Sequence, residues 1–508
     1  MEYDIIFVLG EAYFDHPLCG AAILKRLLEK HGYTVGVVEE PQSDKEITEL
    51  GKPKLFFAVS SGSMDSMVRN YTPLKKRRDE DPNLDYHEKV PDRATIVYSN
   101  WIKKHYKDSL IVLGGTEASL RRFTHFDYWE NRLRRSILFD TRADILAYGS
   151  CEKQILIIAD RTKKGEELPG IEGTCILSKE VPSGFMELPS HEEVSESKER
   201  FVDMQLMLTN TKNLAQKDKG WHVLQYKMPK YTSKDLDEYY ELPFTRQIPK
   251  EMTGFQFSVV THRGCIGRCN FCSITLTQGD KIISRSEDSI IREIEQMTKH
   301  PKFRGNVDDL GGPSVNMYGM DCGLCEGSCL ECKKLDRSNR RYLDLLKKVR
   351  KIKGVNNVFI RSGIRYDLAT PELIKEIAEH HIFDTLRVSP EHVNKRILDL
   401  MNKNKGNLQE FFAEFKKHQK MDKLSFYFMT AHPGSTIKEA EELADFVRKL
   451  PNAESFQVFT PTPMTASTCM YYTGMDLSKR KIYVPYTYNE KKKQKRLILG
   501  QKDRMNSF

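Results

Sequence analysis

The sequence has no apolar stretch long enough to cross a lipid bilayer. Apolar runs such as residues 4–9 are short and the mean hydropathy is -0.55, whereas a membrane-spanning helix needs about 20 apolar residues. The N-terminus also lacks the basic region, the long apolar core and the small-residue cleavage site of a secretory signal. These absences argue against an integral membrane protein and predict a cytoplasmic protein without a membrane partner.

The chain of 508 residues is too long for a single hydrophobic core. Strand-like and helix-like segments alternate over residues 1–162 and predict a Rossmann-like, doubly wound α/β domain. No regular period is found in residues 163–249, which we interpret as a connecting segment. Alternation resumes over residues 250–475, where six β/α units predict a partial (β/α)6 TIM barrel. Residues 320–333 form a Cys-rich insertion in this barrel, and residues 476–508 are expected to be a basic C-terminal tail.

Cysteine is sparse outside one region, since seven of the eleven cysteines lie between Cys265 and Cys332. Such clustering in a reducing compartment indicates metal or cluster ligands rather than disulfides. Cys265, Cys269 and Cys272 have the spacing C-x3-C-x2-C, and no fourth cysteine lies in their loop. Three thiolates suit a 4Fe-4S cluster with one iron free of protein ligands, whereas ferredoxins and structural zinc sites usually have four protein ligands. S-adenosylmethionine can bind that open iron and be cleaved by one electron, with structural zinc as the alternative.

Four further segments have distinctive sequences: residues 10–17 (GEAYFDHP), 273–286 (SITLTQGDKIISRS), 459–463 (FTPTP) and 471–474 (YYTG). Together with the cysteine loop they resemble the YgiQ family of radical S-adenosylmethionine (radical SAM) proteins, over nearly the whole chain. The resemblance implies a 4Fe-4S cluster, S-adenosylmethionine and an external one-electron donor such as flavodoxin or ferredoxin. No substrate is established for that family, so the resemblance leaves the substrate open.

Polar residues and glycines follow several barrel strands, at the edge where β/α barrels build their sites. Gly311 and Gly312 end the second strand, where radical SAM enzymes resemble one another in a Gly-Gly-Glu motif that holds the methionyl amino group. Pro313 replaces the acid here, so the glycines are expected either to bring their backbone to the cofactor or to form a simple turn. The other predicted cofactor-binding residues follow the third, fourth and fifth strands: Arg361, Ser362, Glu391 and His432. Solvation of a loop is the alternative for each, and no catalytic residue is assigned.

A second group of cysteines follows the second barrel strand. Cys322, Cys325, Cys329 and Cys332 have the spacing C-x2-C-x3-C-x2-C. Four thiols on one short loop match the ligand count of zinc or of a second iron–sulfur cluster. A structural zinc clamp and an auxiliary cluster are both open, with free thiols as the third alternative.

The N-terminal domain resembles the cobalamin-binding-like domains that precede many radical SAM barrels. Those domains carry an Asp-x-His-x-x-Gly signature, whereas this chain has Asp15 and His16 adjacent and Gly20 four residues after the histidine. This departure argues against bound cobalamin and predicts that His16 is a turn or interface residue. Cobalamin stays an alternative.

Positive charge exceeds negative charge, with a net charge of +9. Part of the excess lies in residues 491–496 (KKKQKR), which suit either an RNA partner or a solvated tail, although no separate nucleic-acid-binding module is recognisable. The leading hypothesis is a radical SAM enzyme that generates a 5′-deoxyadenosyl radical and acts on an unknown substrate. The alternatives are a methylthiotransferase-like enzyme that modifies RNA or protein, and a non-catalytic iron–sulfur or zinc scaffold.

Overall fold

The computed structural model describes residues 2–78, 90–322, 327–451 and 455–499. The chain divides into two compact units, each built from separated stretches of sequence. Unit one comprises Met1–Asp15, Cys19–Lys230 and Thr460–Arg480. Unit two comprises His16–Leu18, Tyr231–Phe459 and Lys481–Phe508.

Unit one is an α/β fold around one mixed sheet. Its elements up to residue 230 are β1 (Ile5–Leu9), α1 (Gly20–Lys30), β2 (Val35–Glu39), β3 (Phe56–Ser60), α2 (Ser66–Asn70), α3 (Ala94–His105), β4 (Leu110–Leu113), α4 (Gly115–Ser119), β5 (His125–Asp127), β6 (Arg132–Arg134), α5 (Ile137–Thr141), β7 (Ile145–Ala147), α6 (Glu152–Lys164), β8 (Thr174–Ser178), β9 (Met186–Leu188), α7 (His191–Glu196), α8 (Lys198–Met207), β10 (Leu214–Asp218) and β11 (Trp221–Gln225). The spatial order of the sheet in the described residues is β2-β1-β3-β4-β7-β8-β11-β10-β9. The first five strands of this order are parallel, and β1 is buried along its whole length, as expected for a strand with helices on both faces.

The segment predicted as an irregular connection, residues 163–249, instead contributes four strands to this sheet. Strand β8 pairs antiparallel with β7 and β11, and β10 pairs with both β9 and β11. Strands β10 and β11 are not predicted because polar side chains occupy buried positions in them: Gln216, Asp218 and Gln225. These residues interrupt the alternation of apolar and polar residues that identifies a strand.

Unit two contains the second series of strands and helices. Its elements are α9 (Ser233–Tyr240), β12 (Ser258–Val260), β13 (His262–Arg263), α10 (Ile274–Thr277), β14 (Ile283–Ser284), α11 (Glu287–Met297), β15 (Asn306–Val307), β16 (Asp309–Gly311), α12 (Arg340–Val349), β17 (Asn357–Val358), α13 (Pro371–His380), β18 (Leu386–Glu391), α14 (Lys395–Leu400), α15 (Leu408–Phe415), β19 (Leu424–Thr430), α16 (Ile437–Val447) and β20 (Ser455–Val458), followed by α17 (Ala466–Thr473) of unit one and α18 (Tyr488–Leu499). Short 3-10 helices occur at Glu46–Thr48, Lys250–Phe255, Val315–Met317, Tyr366–Leu368 and Met421–Lys423. In the ranges that the structure describes, no helix combines the length and the apolar character needed to span a bilayer.

The strands of unit two form the parallel series of a partial (β/α)6 barrel, as the sequence predicts. Strand β12 pairs with β16, β15 with β17, and β18 with β19, which in turn pairs with β20. A parallel bridge between Ile364, which follows β17, and Val388 of β18 joins the third strand of the series to the fourth. Apolar residues of these strands and of the intervening helices form one core, exemplified by Val259, Leu310 and Phe426. The carboxyl ends of the strands therefore share one edge, where barrel enzymes place their sites.

The C-terminal segment, predicted as a basic tail, contains a packed helix. Helix α18 contacts α16, and Ile498 of α18 is buried in the barrel core. Gln494 is fully buried, and its side-chain oxygen accepts hydrogen bonds from Thr430 Oγ1 (3.1 Å) and the Ala431 amide (3.0 Å). The sequence does not predict this helix, because most of its residues are charged or polar and only a narrow stripe of its surface is buried.

Helix α17 completes unit one from a distant part of the sequence. The Tyr472 ring lies 4.9 Å from the Phe126 ring and 5.3 Å from the Phe201 ring, measured between centroids. Gln205 Nε2 donates a hydrogen bond to the Met464 carbonyl (3.1 Å) in the loop before the helix. Unit one therefore depends on residues near position 470 for part of its packing.

Candidate active site

The cysteine loop follows β12 and is closed by a short hairpin. Strands β13 and β14 pair antiparallel, with His262 opposite Ser284. Gly264 has a φ of 85°, and a Cβ there would overlap the Lys281 carbonyl oxygen. The Cys265 amide donates to the carbonyl of Gly279 (3.1 Å). Only glycine tolerates both this left-handed backbone conformation and such a close contact, so the backbone conformation is fixed directly before Cys265.

The residues that end α14 hold the other side of the loop. Asn270 donates from its amide to the Met401 carbonyl (2.9 Å) and from Nδ2 to the Leu400 carbonyl (2.8 Å). In the reverse direction, Asn402 Nδ2 donates to the Arg268 carbonyl (2.9 Å). These three hydrogen bonds fix the loop between its first and last cysteine.

A buried guanidinium group lies beside the thiols. Arg365 Nη1 is 3.6 Å from Cys269 Sγ, and Arg365 is paired with Asp367 at 2.6 Å. The side chain of Asn316 holds the backbone of Arg365, accepting from its amide (2.9 Å) and donating to its carbonyl (2.8 Å). Desolvation raises the pKa of the Cys272 thiol to about 12. Thiolates at this site therefore need positive charge nearby, which Arg365 and a bound metal would supply.

Glu391 lies next to this loop in a strained backbone conformation. It ends β18 after a register shift, has a φ of 68° and is buried. Its Oε2 atom has no hydrogen-bond partner among the described residues. Burial raises the pKa of this carboxyl to about 7, although the charges of Lys403 and Arg365 oppose the shift. A strained, buried and incompletely bonded carboxyl group is typical of a functional residue.

Two buried imidazoles follow β18 and β19. His392, which the sequence prediction misses, accepts hydrogen bonds at Nδ1 from the amides of Val393 and Asn394 (3.0 Å each), so its proton lies on Nε2. That nitrogen has no partner among the described residues. His432 is fully buried, with its ring centroid 5.1 Å from that of Phe459. Burial lowers the pKa of His392 to about 4 and that of His432 to about 3, so both are neutral at pH 7. The position of His392 directly after Glu391 at a strand end is the signal that could have identified it.

The two predicted glycines are required by close packing. A Cβ at Gly311 would overlap the Asp309 carboxylate and the Ser362 hydroxyl. The Gly311 carbonyl accepts hydrogen bonds from the Thr261 amide (2.8 Å) and Thr261 Oγ1 (3.0 Å). A Cβ at Gly312 would overlap the His262 imidazole. These contacts explain both glycines within the protein, and contact with a cofactor stays a prediction.

Ser362 and Arg361 follow β17, and their side chains lie in different surroundings. Asp309 accepts hydrogen bonds from the amides of both residues (2.9 Å for Arg361 and 3.2 Å for Ser362) and from Ser362 Oγ. The Arg361 guanidinium instead donates to the Gly254 carbonyl (2.9 Å) and lies 4.7 Å from the Phe383 ring. Gly254 and Phe383 precede their strands, so the head of Arg361 lies at the amino-terminal edge. The prediction that Arg361 binds the cofactor at the carboxyl edge of the barrel is therefore corrected.

Three of the second group of cysteines lie beside the cysteine loop. Cys329 belongs to an apolar cluster with Ile266, and Cys265, Cys322 and Cys332 pack against that cluster. Lys281 Nζ is 3.2 Å from Cys329 Sγ. Cys325 lies outside the described residues. Among the residues that are described, no three His, Cys, Asp or Glu side chains are already arranged to hold a metal ion, so both metal assignments stay predictions.

His16 does not fit the role of a cobalt ligand. Its Nε2 lies 2.8 Å from the Gln256 carbonyl, and its Nδ1 accepts a hydrogen bond from the Leu18 amide (3.1 Å). Both ring nitrogens are thus engaged by the protein. Its neighbour Asp15 accepts a hydrogen bond from Arg26 Nε (2.9 Å) in unit one.

The fold and the cysteine loop are those of a radical SAM protein. A family model described as Radical SAM N-terminal matches residues 1–259, and one described as Radical SAM superfamily matches residues 259–447. UPF0313 protein MJ1155 of Methanocaldococcus jannaschii is 43% identical over 99% of this chain and 90% of its own length. UPF0313 protein GSU2873 of Geobacter sulfurreducens is 42% identical over 98% and 89%. The chain belongs to the UPF0313 family, the YgiQ-type radical SAM family that its sequence resembles. Membership implies a 4Fe-4S cluster and S-adenosylmethionine, and enzymes of this superfamily generally need an external electron donor.

Solved structures of radical SAM enzymes share the fold. The radical SAM methyltransferase TsrM of Kitasatospora setae, with cobalamin and a [4Fe-4S] cluster bound, has a TM-score of 0.54 and 14% identity over 93% of this chain and 79% of its own. The cobalamin-dependent radical enzyme OxsB, with aqua-cobalamin and S-adenosylmethionine bound, has a TM-score of 0.51 and 11% identity over 88% and 52%. Because both neighbours carry cobalamin, the expectation against cobalamin in this fold is not borne out.

Proposed function

We propose that this protein is a radical SAM enzyme in which Cys265, Cys269 and Cys272 hold the 4Fe-4S cluster. When bound, the cluster would supply the electron that cleaves S-adenosylmethionine, giving a 5′-deoxyadenosyl radical that acts on a substrate still unknown. The observation that carries the proposal is the placement of three thiols on one tightly shaped loop at the carboxyl edge of a parallel barrel, with the Arg365 guanidinium 3.6 Å from Cys269 Sγ. The donor set fits a cluster with one open iron.

The neighbouring polar residues have roles that follow from their geometry. Arg365 offsets the negative charge of the thiolates, and Asp367 fixes its orientation. We infer that Glu391, with a pKa of about 7, holds or releases a proton at Oε2 beside the cofactor. Neutral His392 presents its Nε2 hydrogen as a donor at the same edge.

The remaining predicted contacts line the carboxyl edge of the barrel. Gly311 and Gly312 end the second strand position, and Ser362 is held by Asp309 at the third. His432 follows β19 and is fully buried. We propose that these residues shape the binding site and exclude water from it.

Reconstitution under anaerobic conditions tests the proposal. The wild type is expected to bind about four irons that a Cys265→Ala, Cys269→Ala, Cys272→Ala variant lacks, and to release 5′-deoxyadenosine slowly with dithionite. The matched control is Cys175→Ala, Cys469→Ala, which changes cysteines of unit one that lie outside both cysteine groups. An unchanged cluster signal in the triple variant would overturn the ligand assignment, and absence of cleavage under every reductant would favour the non-catalytic scaffold.

A methylthiotransferase-like modification enzyme is the second candidate. It is favoured by the packing of Cys265, Cys322 and Cys332 around one apolar cluster, since a metal bound by the second group of cysteines would then lie close to the first. Either an auxiliary iron–sulfur cluster or a zinc clamp suits the four thiols from Cys322 to Cys332. Incorporation of sulfur into an RNA or protein product would identify this reaction.

We propose that His16 does not serve as a cobalt ligand. Unit one shares its fold with proteins that carry cobalamin, but the His16 nitrogens are both occupied. An external flavodoxin or ferredoxin is proposed as the source of the electron.

A further inference from the structure

Three partly exposed tyrosines lie close together in the sequence of the C-terminal segment of unit two. Tyr483, Tyr486 and Tyr488 are 40%, 49% and 41% exposed. Each tyrosine keeps about two fifths to one half of its area in solvent, within only six positions of the sequence. Aromatic rings that keep part of a face in solvent are available to stack with a ligand.

Positive charge surrounds these rings. Residues 481–496 contain six Lys or Arg residues and one acid, Glu490. Glu490 is occupied in capping α18, since its Oε2 accepts hydrogen bonds from the Thr487 amide (3.1 Å) and Thr487 Oγ1 (2.6 Å). Lys493 and Arg496 are exposed, and Lys492 Nζ lies 5.3 Å from the centre of the Tyr488 ring. The segment therefore combines partly exposed aromatic rings with a local excess of positive charge.

Hydrogen bonds fasten this segment to the loop that follows β19. The Gly434 amide donates to the Tyr483 carbonyl (2.6 Å), and Gln494 Nε2 donates to the Ser435 carbonyl (2.8 Å). The same loop carries His432. The exposed rings are thus tied to the carboxyl edge of the barrel, the edge at which the cysteine loop follows β12.

We propose that the tyrosine–lysine surface, defined as Tyr483, Tyr486, Tyr488, Lys492, Lys493 and Arg496, binds single-stranded RNA and that the substrate of this enzyme is a nucleotide of that RNA. Base faces stack on aromatic rings, and lysine and arginine contact phosphates. An acidic redox protein would be attracted by the cations but has no need of three exposed rings. The substrate part of this inference rests on the proposed radical SAM function, whereas RNA binding does not.

Fluorescence anisotropy with labelled RNA of about 16 nucleotides tests the surface, since this length spans a typical single-strand site. Tyr486→Ala, Tyr488→Ala is expected to raise Kd at least tenfold, because stacking contributes about 1–3 kcal/mol per base. The matched variant Tyr486→Phe, Tyr488→Phe keeps the rings and is expected to bind within about twofold of the wild type, since stacking does not need the hydroxyl.

Salt dependence separates phosphate contacts from net charge. Lys493→Gln, Arg496→Gln is expected to reduce the slope of log K against log salt by about 1.4, since each phosphate contact on a single strand contributes about 0.7. Lys375→Gln, Lys416→Gln removes the same charge from exposed positions elsewhere in unit two and should leave the slope unchanged. DNA of the same sequence shows whether the 2′-hydroxyl is recognised, and weaker binding of DNA is expected.

The proposal would be overturned if the Tyr→Ala variant, with thermal unfolding like that of the wild type, kept its RNA affinity, or if both charge variants lost the same salt slope. Equal binding of DNA and RNA, or binding of an acidic flavodoxin but not of RNA, would also overturn it. Two further measurements distinguish failure of the RNA-binding proposal from failure of the proposed radical SAM function. The variant lacking Cys265, Cys269 and Cys272 is expected to retain RNA binding, and the Tyr→Ala variant is expected to retain uncoupled release of 5′-deoxyadenosine.

Discussion

At the scale of single residues, Glu391 combines three unfavourable features. It has a positive φ, its carboxyl group is buried, and Oε2 has no hydrogen-bond partner among the described residues. A non-glycine residue in this conformation costs about 1–3 kcal/mol and persists where the surrounding structure enforces it. A merely structural residue gains nothing from this arrangement, whereas a carboxyl group presented to a ligand does.

The raised pKa of Glu391 predicts how stability depends on pH. The folded protein binds the proton up to a pKa of about 7, compared with 4.5 for an ordinary glutamate. The folded state therefore holds more protons between these values, and the free energy of unfolding falls by about 3 kcal/mol as pH rises through this range. Glu391→Gln is expected to remove this loss, so the metal-free variant is more stable than the wild type at pH 8 and similar to it near pH 4.5.

Urea unfolding of metal-free protein at several pH values measures this effect. Glu372→Gln on α13 is the control, because Glu372 is exposed and its replacement should leave the pH profile unchanged. If the stability of Glu391→Gln depends on pH in the same way as that of the wild type, Glu391 does not have the raised pKa.

At the scale of elements, the sequence predicts some strands well and others poorly. The barrel strands are found because apolar runs such as Phe426 and Phe428 recur between amphipathic helices. Strands β10 and β11 are missed because Gln216 and Gln225 are buried by hydrogen bonds rather than by apolar packing. Long-range partners of this kind cannot be inferred from local periodicity.

The candidate site shows the same division between local and distant information. The cysteine loop is predicted because its three ligands lie within eight positions, from Cys265 to Cys272. The participation of Arg365 is not predicted, since it reaches Cys269 from 96 positions away. The placement of Arg361 is wrong because the direction of its side chain depends on the carbonyl of Gly254.

The end of α14 is expected to control how well the cysteine loop is held. Asn402 has a φ of 52° and donates to the Arg268 carbonyl, so Asn402→Gly keeps the backbone conformation but removes the hydrogen bond. Loss of one such bond costs about 1 kcal/mol. We expect nearly unchanged thermal unfolding but faster loss of iron from the reconstituted protein during gel filtration.

The comparison variant for this experiment is Asn404→Gly, which changes an asparagine near the same helix end whose side chain binds Asp399 (2.8 Å) rather than the loop. Equal iron retention in both variants would show that the hydrogen bond does not hold the loop.

At the scale of the whole molecule, the second group of cysteines predicts a metal content larger than that of one cluster. A variant with Cys322, Cys325, Cys329 and Cys332 changed to Ser is expected to lose either about four irons or one zinc, because four thiols match either ligand set. Iron, sulfide and zinc should be counted together in this variant and in the wild type. Unchanged metal content would contradict the assignment, while the signal of the cluster at Cys265, Cys269 and Cys272 is expected to persist.

The discontinuous composition of the two units has a consequence for protein synthesis. Unit one needs the segment Thr460–Arg480, whose Tyr472 packs on Phe126 and Phe201, and unit two needs Gln494 in α18. A ribosome that has made the first 450 residues has therefore produced neither unit in full, although multidomain chains commonly fold one domain at a time from the N-terminus. Both units therefore need residues that are made after position 459, and a chain that stops before them contains two incomplete folds instead of one finished domain.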